Sequence, residues 1–168
     1  MSTLATVTQA PTADATAGRS AARVAQYMLR VQTGAAPEFV DLTEAVAECV
    51  RTSGVHVGLV TVFCRHTTAG LRLNEHEPLL LQDLADFLTR MAAPSQGYRH
   101  DDFSVRRVNM LPDERPNGHA HCQHLFLNSS ETIPIADGML ALGRWQRLFL
   151  VELDCPKLRD VLVCVLGS

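Results

Sequence analysis

The chain has 168 residues, 46% of them apolar and 20% charged, which suits one domain with a proper core and no disulfide scaffold. A formal charge of −3 and a pI near 6.1 supply no global attraction to nucleic acid or an anionic membrane, so neither is expected as a partner and any anionic ligand must be gripped locally. Five scattered cysteines without a C-x-x-C pair argue against a thiolate zinc knuckle and suit a reducing cytoplasm.

Residues 1–20 are small and polar, lack an apolar signal core and read as a disordered tail ahead of a single domain over 21–168. From Ala25, the alternation of Tyr27, Leu29 and Val31 with Met28, Arg30 and Gln32 is strand periodicity, broken by Gly34 to Pro37. Leu42, Val46, Cys49 and Val50 then fall at helical spacing, with Asp41 or Thr43 as N-cap and Gly54 as C-cap. Val55 to Cys64, rich in β-branched residues, reads as a buried strand in which Gly58 marks a close approach. It delivers His66-Thr67-Thr68-Ala69-Gly70 at its end.

Pro78 opens a second helix whose apolar face runs from Leu80 to Met91 and stops before Pro94, leaving Asn74, Glu75 and His76 just outside its N-terminus. Residues 92–117 are polar and proline-rich, an unusually long connection of the kind that carries function. Leu125 to Leu127, Thr132 to Ile135, Met139 to Leu142, Leu148 to Leu153 and Val161 to Leu166 are strand-like, and Asp137-Gly138 is a type I′ hairpin signal. These strands predict an antiparallel meander. The class is α+β: a single domain with a largely antiparallel sheet and two main helices. No apolar run approaches the roughly 18 residues a membrane helix needs.

Chemistry concentrates in Asn117-Gly118-His119-Ala120-His121-Cys122-Gln123-His124, which holds three of the seven histidines. Read as extended chain, it puts His119, His121 and Gln123 on one face and His124 on the other. Two imidazoles sharing a face can hold a metal or move a proton, while a polar loop with solvated histidines is the plainer alternative. Thr67 and Thr68 offer hydroxyls for a phosphate, or satisfy their own turn. Glu77 has an adequate role capping the second helix, whereas Glu75 is separated from His66 by only a short strand, and Glu with His makes a metal site or an acid/base couple. Tyr98-Arg99-His100-Asp101-Asp102 is a further polar knot, either solvated loop or site. Arg144 can meet a phosphate bidentately. Glu152 and Asp154 share a strand face and need partners, which Lys157 and Arg159 can supply.

Taken together, His66-Thr67-Thr68-Ala69-Gly70, Asn74-Glu75, Asp83-Leu84, Tyr98 with His100-Asp101, Asn117-Gly118-His119-Ala120-His121, Pro134, Asp137-Gly138, Leu142-Gly143 with Trp145-Gln146, and Glu152-x-Asp154 before Pro156 resemble the YjbQ-like family over about residues 22–167. The resemblance implies an α+β fold assembled as a homotrimer, with clefts near subunit boundaries lined by His66, Asn74, Glu75 and His121. His119 matches a commoner variant of its motif. Two departures stand out: Gln123 where relatives look basic, and Cys155 where a glycine is expected before Pro156.

The activity implied is that of a thiamine-phosphate synthase-like transferase, coupling a pyrimidine diphosphate to a thiazole phosphate with loss of pyrophosphate. On this reading His66, Glu75 and His121 are catalytic, Thr67, Thr68, Asn74 and Arg144 hold phosphates, and His66, His119, His121 and Glu75 are candidate metal ligands. Magnesium prefers oxygen donors, so so many histidines point rather to zinc or manganese. Two alternatives stay open: a metal-dependent hydrolase or lyase of a small phosphorylated metabolite, and a non-enzymatic metal-binding trimer.

Overall fold

The computed structural model describes residues 5–9 and 22–168; the remainder of the stretch read as an N-terminal tail lies outside the described residues. Within that stretch Ala5–Gln9 forms β1, antiparallel to β2, Arg23–Gln32. The chain continues through β3 (Glu38–Asp41), α1 (Thr43–Ser53), β4 (Gly58–Cys64), β5 (Ala69–Glu75), α2 (Pro78–Met91), α3 (Gly118–His124), β6 (Ser130–Ala136), β7 (Met139–Leu140), β8 (Gln146–Glu152) and β9 (Leu158–Gly167).

Two antiparallel sheets result, a large one in the order β1-β2-β9-β4-β6-β7 and a small one in the order β3-β8-β5. The alternating residues Tyr27, Leu29 and Val31 of β2, Val60 and Val62 of β4, and Val161, Val163 and Val165 of β9 are all buried. They meet Leu148 and Leu150 of β8, Leu71 of β5, and Val46, Cys49 and Val50 of α1 in one core. Gly58 lies opposite Gly167 in the β4–β9 pair, and a Cβ there would sit 2.1 Å from the Leu166 carbonyl oxygen, so the close approach expected of it is real.

The α+β class holds, and both long helices form within a few residues of where periodicity puts them. Gly54 caps α1 at φ 67°. Glu77 caps α2, its carboxylate accepting from the Leu79 and Leu80 amides at 3.0 and 2.7 Å. Asp137 (φ 52°) and Gly138 (φ 76°) make the β6–β7 hairpin turn.

The C-terminal strands do not form a meander. After the β6–β7 hairpin, β8 crosses to the small sheet, and β9 returns to lie between β2 and β4. The reason is in β8 itself, which is buried on both faces: Leu148 and Leu150 face the main core, whereas Phe149 and Val151 join Leu153, Leu88 of α2 and Ala120 of α3 in a second cluster. Such a strand needs cover on two sides and is placed centrally. Leu125 to Leu127 are not a strand either; their amides donate to the carbonyls of Cys122, Gln123 and His124 in a turn that leaves α3.

The largest departure is at the histidine cluster, which is the helix α3 and not extended chain. Helical geometry separates His119 from His121 and puts His124 one turn beyond His121. The shared His119–His121–Gln123 face therefore does not exist. Gln123 is buried at 1% exposure and its amide donates to the carbonyls of Leu88 and Ala92 at the end of α2, which occupies the residue in packing.

Candidate functional site

An open cleft of about 830 Å³ lies where the β4–β5 turn, the 92–117 connection, α3 and the β8–β9 turn converge. Next to it, the end of β8 leads into the turn that carries Asp154, Cys155 and Lys157 of the lining. Glu152, on the core face of that strand, is fully buried and paired with Arg159, whose Nε donates to Glu152 Oε2 at 2.6 Å while Nη2 bonds Oε1. Thr33 Oγ1 donates to Oε2 at 3.0 Å, and the amides of Leu153 and Asp154 donate to Oε1 at 3.1 and 3.0 Å. Arg159 Nη2 also donates to Thr68 Oγ1 at 3.1 Å. This network satisfies a buried ion pair, as such pairs require, and it fixes both Thr68 and the Asp154 turn at the cleft. Neutralisation is thus the role of Arg159 toward Glu152 and, through its ion pair, of Lys157 toward Asp154.

The polar knot at Tyr98 to Asp102 builds the opposite wall. Asp101 Oδ1 accepts from the amides of Asn117 and Gly118, both at 2.9 Å, and so caps α3. A Cβ on Gly118 would meet Tyr98 at 2.5 Å, which locks the helix start against the knot. His100 then packs against His121, ring centroids 4.5 Å apart and the ring planes tilted by 41°. Arg106 bonds His100 Nδ1 at 3.2 Å, Glu114 Oε1 at 2.5 Å and the Asn109 carbonyl at 2.7 Å, so this guanidinium is spent on the loop. Asn117, Thr67, Arg115 and Lys157 also line the cleft, as do Asp113 and the apolar Val108 and Leu111. Among the described residues Arg115 makes no ion pair.

The expected site residues divide into groups. His121, Thr67 and Thr68 share the cleft, although the Thr68 hydroxyl is already bonded and buried. His66 stands behind it: its Nε2 accepts the Asp160 amide at 2.8 Å, which ties the β4–β5 turn to β9 and assigns the ring proton to Nδ1. Asn74 and Glu75 are at the far end of β5, about 20 Å of strand away from Thr68. Arg144 lies in the β7–β8 turn, over the Trp145 ring at 4.7 Å from its centroid. His66, His119, His121 and Glu75 are therefore not gathered within one chain. Among the described residues no group of three or more His, Cys, Asp or Glu side chains is placed to hold a metal ion.

Sequence reasoning passed over Arg115 and Asn117 as lining residues, gave Lys157 and Arg159 only as partners for Glu152 and Asp154, and left His100 open between loop and site. The available signal was the length of the 92–117 connection.

Burial holds the His121 imidazole below its ordinary range, with the positive fields of His100 and Arg106 acting in the same direction against the opposing Asp154. Burial, then Arg159, lowers His66. Each native ring therefore binds fewer protons than its unfolded counterpart once pH falls through about 6.5. Stability is expected to be flat above that pH and to decline on acidification from about 6.5 toward the lower folded values. The urea midpoint should fall between pH 7 and 5.5, and less so in His66→Gln; a midpoint that rises over this window contradicts the assignment.

Relatives share this architecture. The model of the family described as "UPF0047 protein YjbQ-like" matches residues 27–168. A UPF0047 protein of Archaeoglobus fulgidus is 35% identical over 135 residues, covering 80% of this chain and 96% of the relative. One from Synechocystis is 41% identical over 123 residues, covering 71% and 76%. The crystal structure of a YbjQ-like protein of unknown function from Sulfolobus solfataricus superposes with a TM-score of 0.78 at 34% identity, covering 88% of this chain and all of that one. With nearly the whole domain matched in sequence and in fold, the chain belongs to the UPF0047 (YjbQ-like) family.

Proposed function

We propose that the cleft binds a small phosphorylated molecule and that His121 moves a proton within it. The observation that carries this is the convergence of Arg115, which makes no ion pair among the described residues, and the Thr67 hydroxyl on a half-buried imidazole kept neutral near pH 7, with Lys157 beside them on Asp154. A neutral imidazole accepts a proton, and forked or ammonium donors hold the phosphate oxygens while it does. Inorganic phosphate should bind the full chain in calorimetry, and Arg115→Met with Lys157→Met should weaken it at least about tenfold. Equal binding by wild type and double variant sinks the reading.

The specific form implied by the family resemblance is transfer of the pyrimidine group of a pyrimidine diphosphate onto the ring nitrogen of a thiazole phosphate, the bond to the diphosphate breaking as the new one forms. Loss of pyrophosphate in such a step calls for fixed donors at the departing anion, which the cleft's cations resemble in kind. The unpaired thiols of all five cysteines suit a reducing compartment, so the cytoplasm is the proposed place of action. No helix among the described residues is long and apolar enough to cross a membrane.

Glu75 and Asn74 enter this reading through assembly. Lying at the wrong end of β5 for their own cleft, they reach another His121 only from a neighbouring copy, which fits the homotrimer the resemblance implies. A divalent metal held by Glu75 and histidines would need the same arrangement. Exposed Leu79, Phe87, Met91 and Leu125 on α2 and just after α3 are consistent with a covered face. Light scattering should give three times the 18.4 kDa of one chain; a monomer at micromolar concentration overturns the assembly.

A further inference from the structure

A second cavity, of about 240 Å³, shares no lining residue with the cleft. It lies between β5, the second half of α2 and the turn that leaves α3. Leu88, at 4% exposure, is its most buried wall, and half-buried Phe39, Leu84 and Leu127 stand around it. The more exposed Phe87 and Phe126 meet edge to face, ring centroids 5.6 Å apart, and complete the apolar lining.

One lining residue is out of keeping with the rest. Strand register puts Arg72 directly across from Phe149, so its side chain leaves the small sheet on the face that also carries Phe149, Val151 and Phe39. Phe149 and Val151 are fully buried in the second cluster. A cation set beside such a face calls for an acid or for water. Among the described residues Arg72 makes no ion pair, although α2 carries Asp83 and Asp86. Asn74 follows two residues on along the same face and also lines the cavity. Its Oδ1 accepts the Glu75 amide at 2.9 Å, which leaves the amide N–H groups as donors. The cavity thus has apolar walls and one donor-rich end.

From this we infer that the cavity is a second ligand site, and that it takes a small monocarboxylate with an apolar body. One guanidinium balances one negative charge, and its planar fork meets a carboxylate in two parallel bonds. A volume of about 240 Å³ falls just below the range of drug-sized sites, which sets the ligand at roughly ten heavy atoms. The carboxylate lies at Arg72 with Asn74 as a further donor, and the body lies against Leu84, Leu88 and Phe126. The inference is independent of the phosphate reading of the cleft.

Phenylacetate supplies both halves of such a ligand; phenylacetamide lacks only the charge, and acetate only the ring. Calorimetry on the full chain should show phenylacetate binding about tenfold or more tighter than either of the others. Arg72→Gln changes an exposed side chain, so it should fold as wild type by circular dichroism. It should bind phenylacetamide as before and lose the preference for the acid. Phe126→Ala, at another exposed position, should weaken acid and amide alike. Arg115→Met/Lys157→Met, in the cleft, should leave phenylacetate binding unchanged. A loss in that variant moves the acid to the cleft and overturns the inference. So does a preference for the acid that survives Arg72→Gln. Wild type that binds none of the three probes overturns it as well, and leaves this face to a neighbouring copy; the phosphate reading of the cleft is untouched by any of these results.

Discussion

Replacing Glu152 with alanine is expected to cost about 3–5 kcal/mol of folding stability, the usual loss when one member of a buried ion pair is removed. Glu152 is fully buried and receives bonds from Thr33, the Leu153 and Asp154 amides and both arms of Arg159. Without it, the Arg159 guanidinium, itself 4% exposed, stays in the core with only Thr68 to receive it. A loss of that size is a large fraction of what an ordinary domain has. The penalty comes from the stranded charge more than from the attraction removed, so Glu152→Met/Arg159→Met should recover much of it. Urea unfolding of the single and double variants measures both effects. A single variant within about 1 kcal/mol of wild type would mean that the pair is not the keystone its burial indicates.

The second large effect concerns chemistry. His121→Ala should leave folding nearly unchanged, because the ring is half-buried and rests against His100 outside both core clusters. If the cleft performs the proposed transfer, thiamine-phosphate formation should fall by roughly 10²-fold or more, the scale of a lost general acid or base. Protonation of His121 changes what it can offer the departing pyrophosphate, so the wild-type rate should carry a pH limb below the ordinary imidazole range that is missing from whatever rate His121→Ala retains. An unchanged rate in the variant would take His121 out of the reaction.

Local patterns were readable in the sequence to the extent that they are enforced locally. The alternation in β2, the apolar stripes of α1 and α2 and the Asp137-Gly138 turn each follow from a few neighbouring residues. Strand partners are not local. Nothing in the spacing of Leu148 to Leu153 states that β8 leaves its neighbours for the second sheet, although its unbroken apolar run signals burial on both faces. The misreading of residues 117–124 has the same origin. Seven residues with three histidines make a poor isolated helix, and α3 exists because Asp101 caps it, Ala120 packs under it and Gln123 ties it to α2. The i, i+3 spacing of Ala120 and Gln123, its two deeply buried side chains, was the usable helical signal. His121 and the threonine turn were legible as chemistry, but which carboxylates and cations they face depends on where the 92–117 connection lands.

That dependence on distant supports gives the cleft a thermodynamics of its own. A helix of seven residues held by a cap from one loop and by a side-chain amide on another helix's end is a cooperative unit smaller than the domain. It and the loop framed by Arg106 are expected to open together while the β-sheet core stays closed, because Asp101, which leads into that loop, also holds the amides that begin α3. Placement of His121 in the cleft is then an equilibrium separate from global folding, and a ligand touching both walls draws on it.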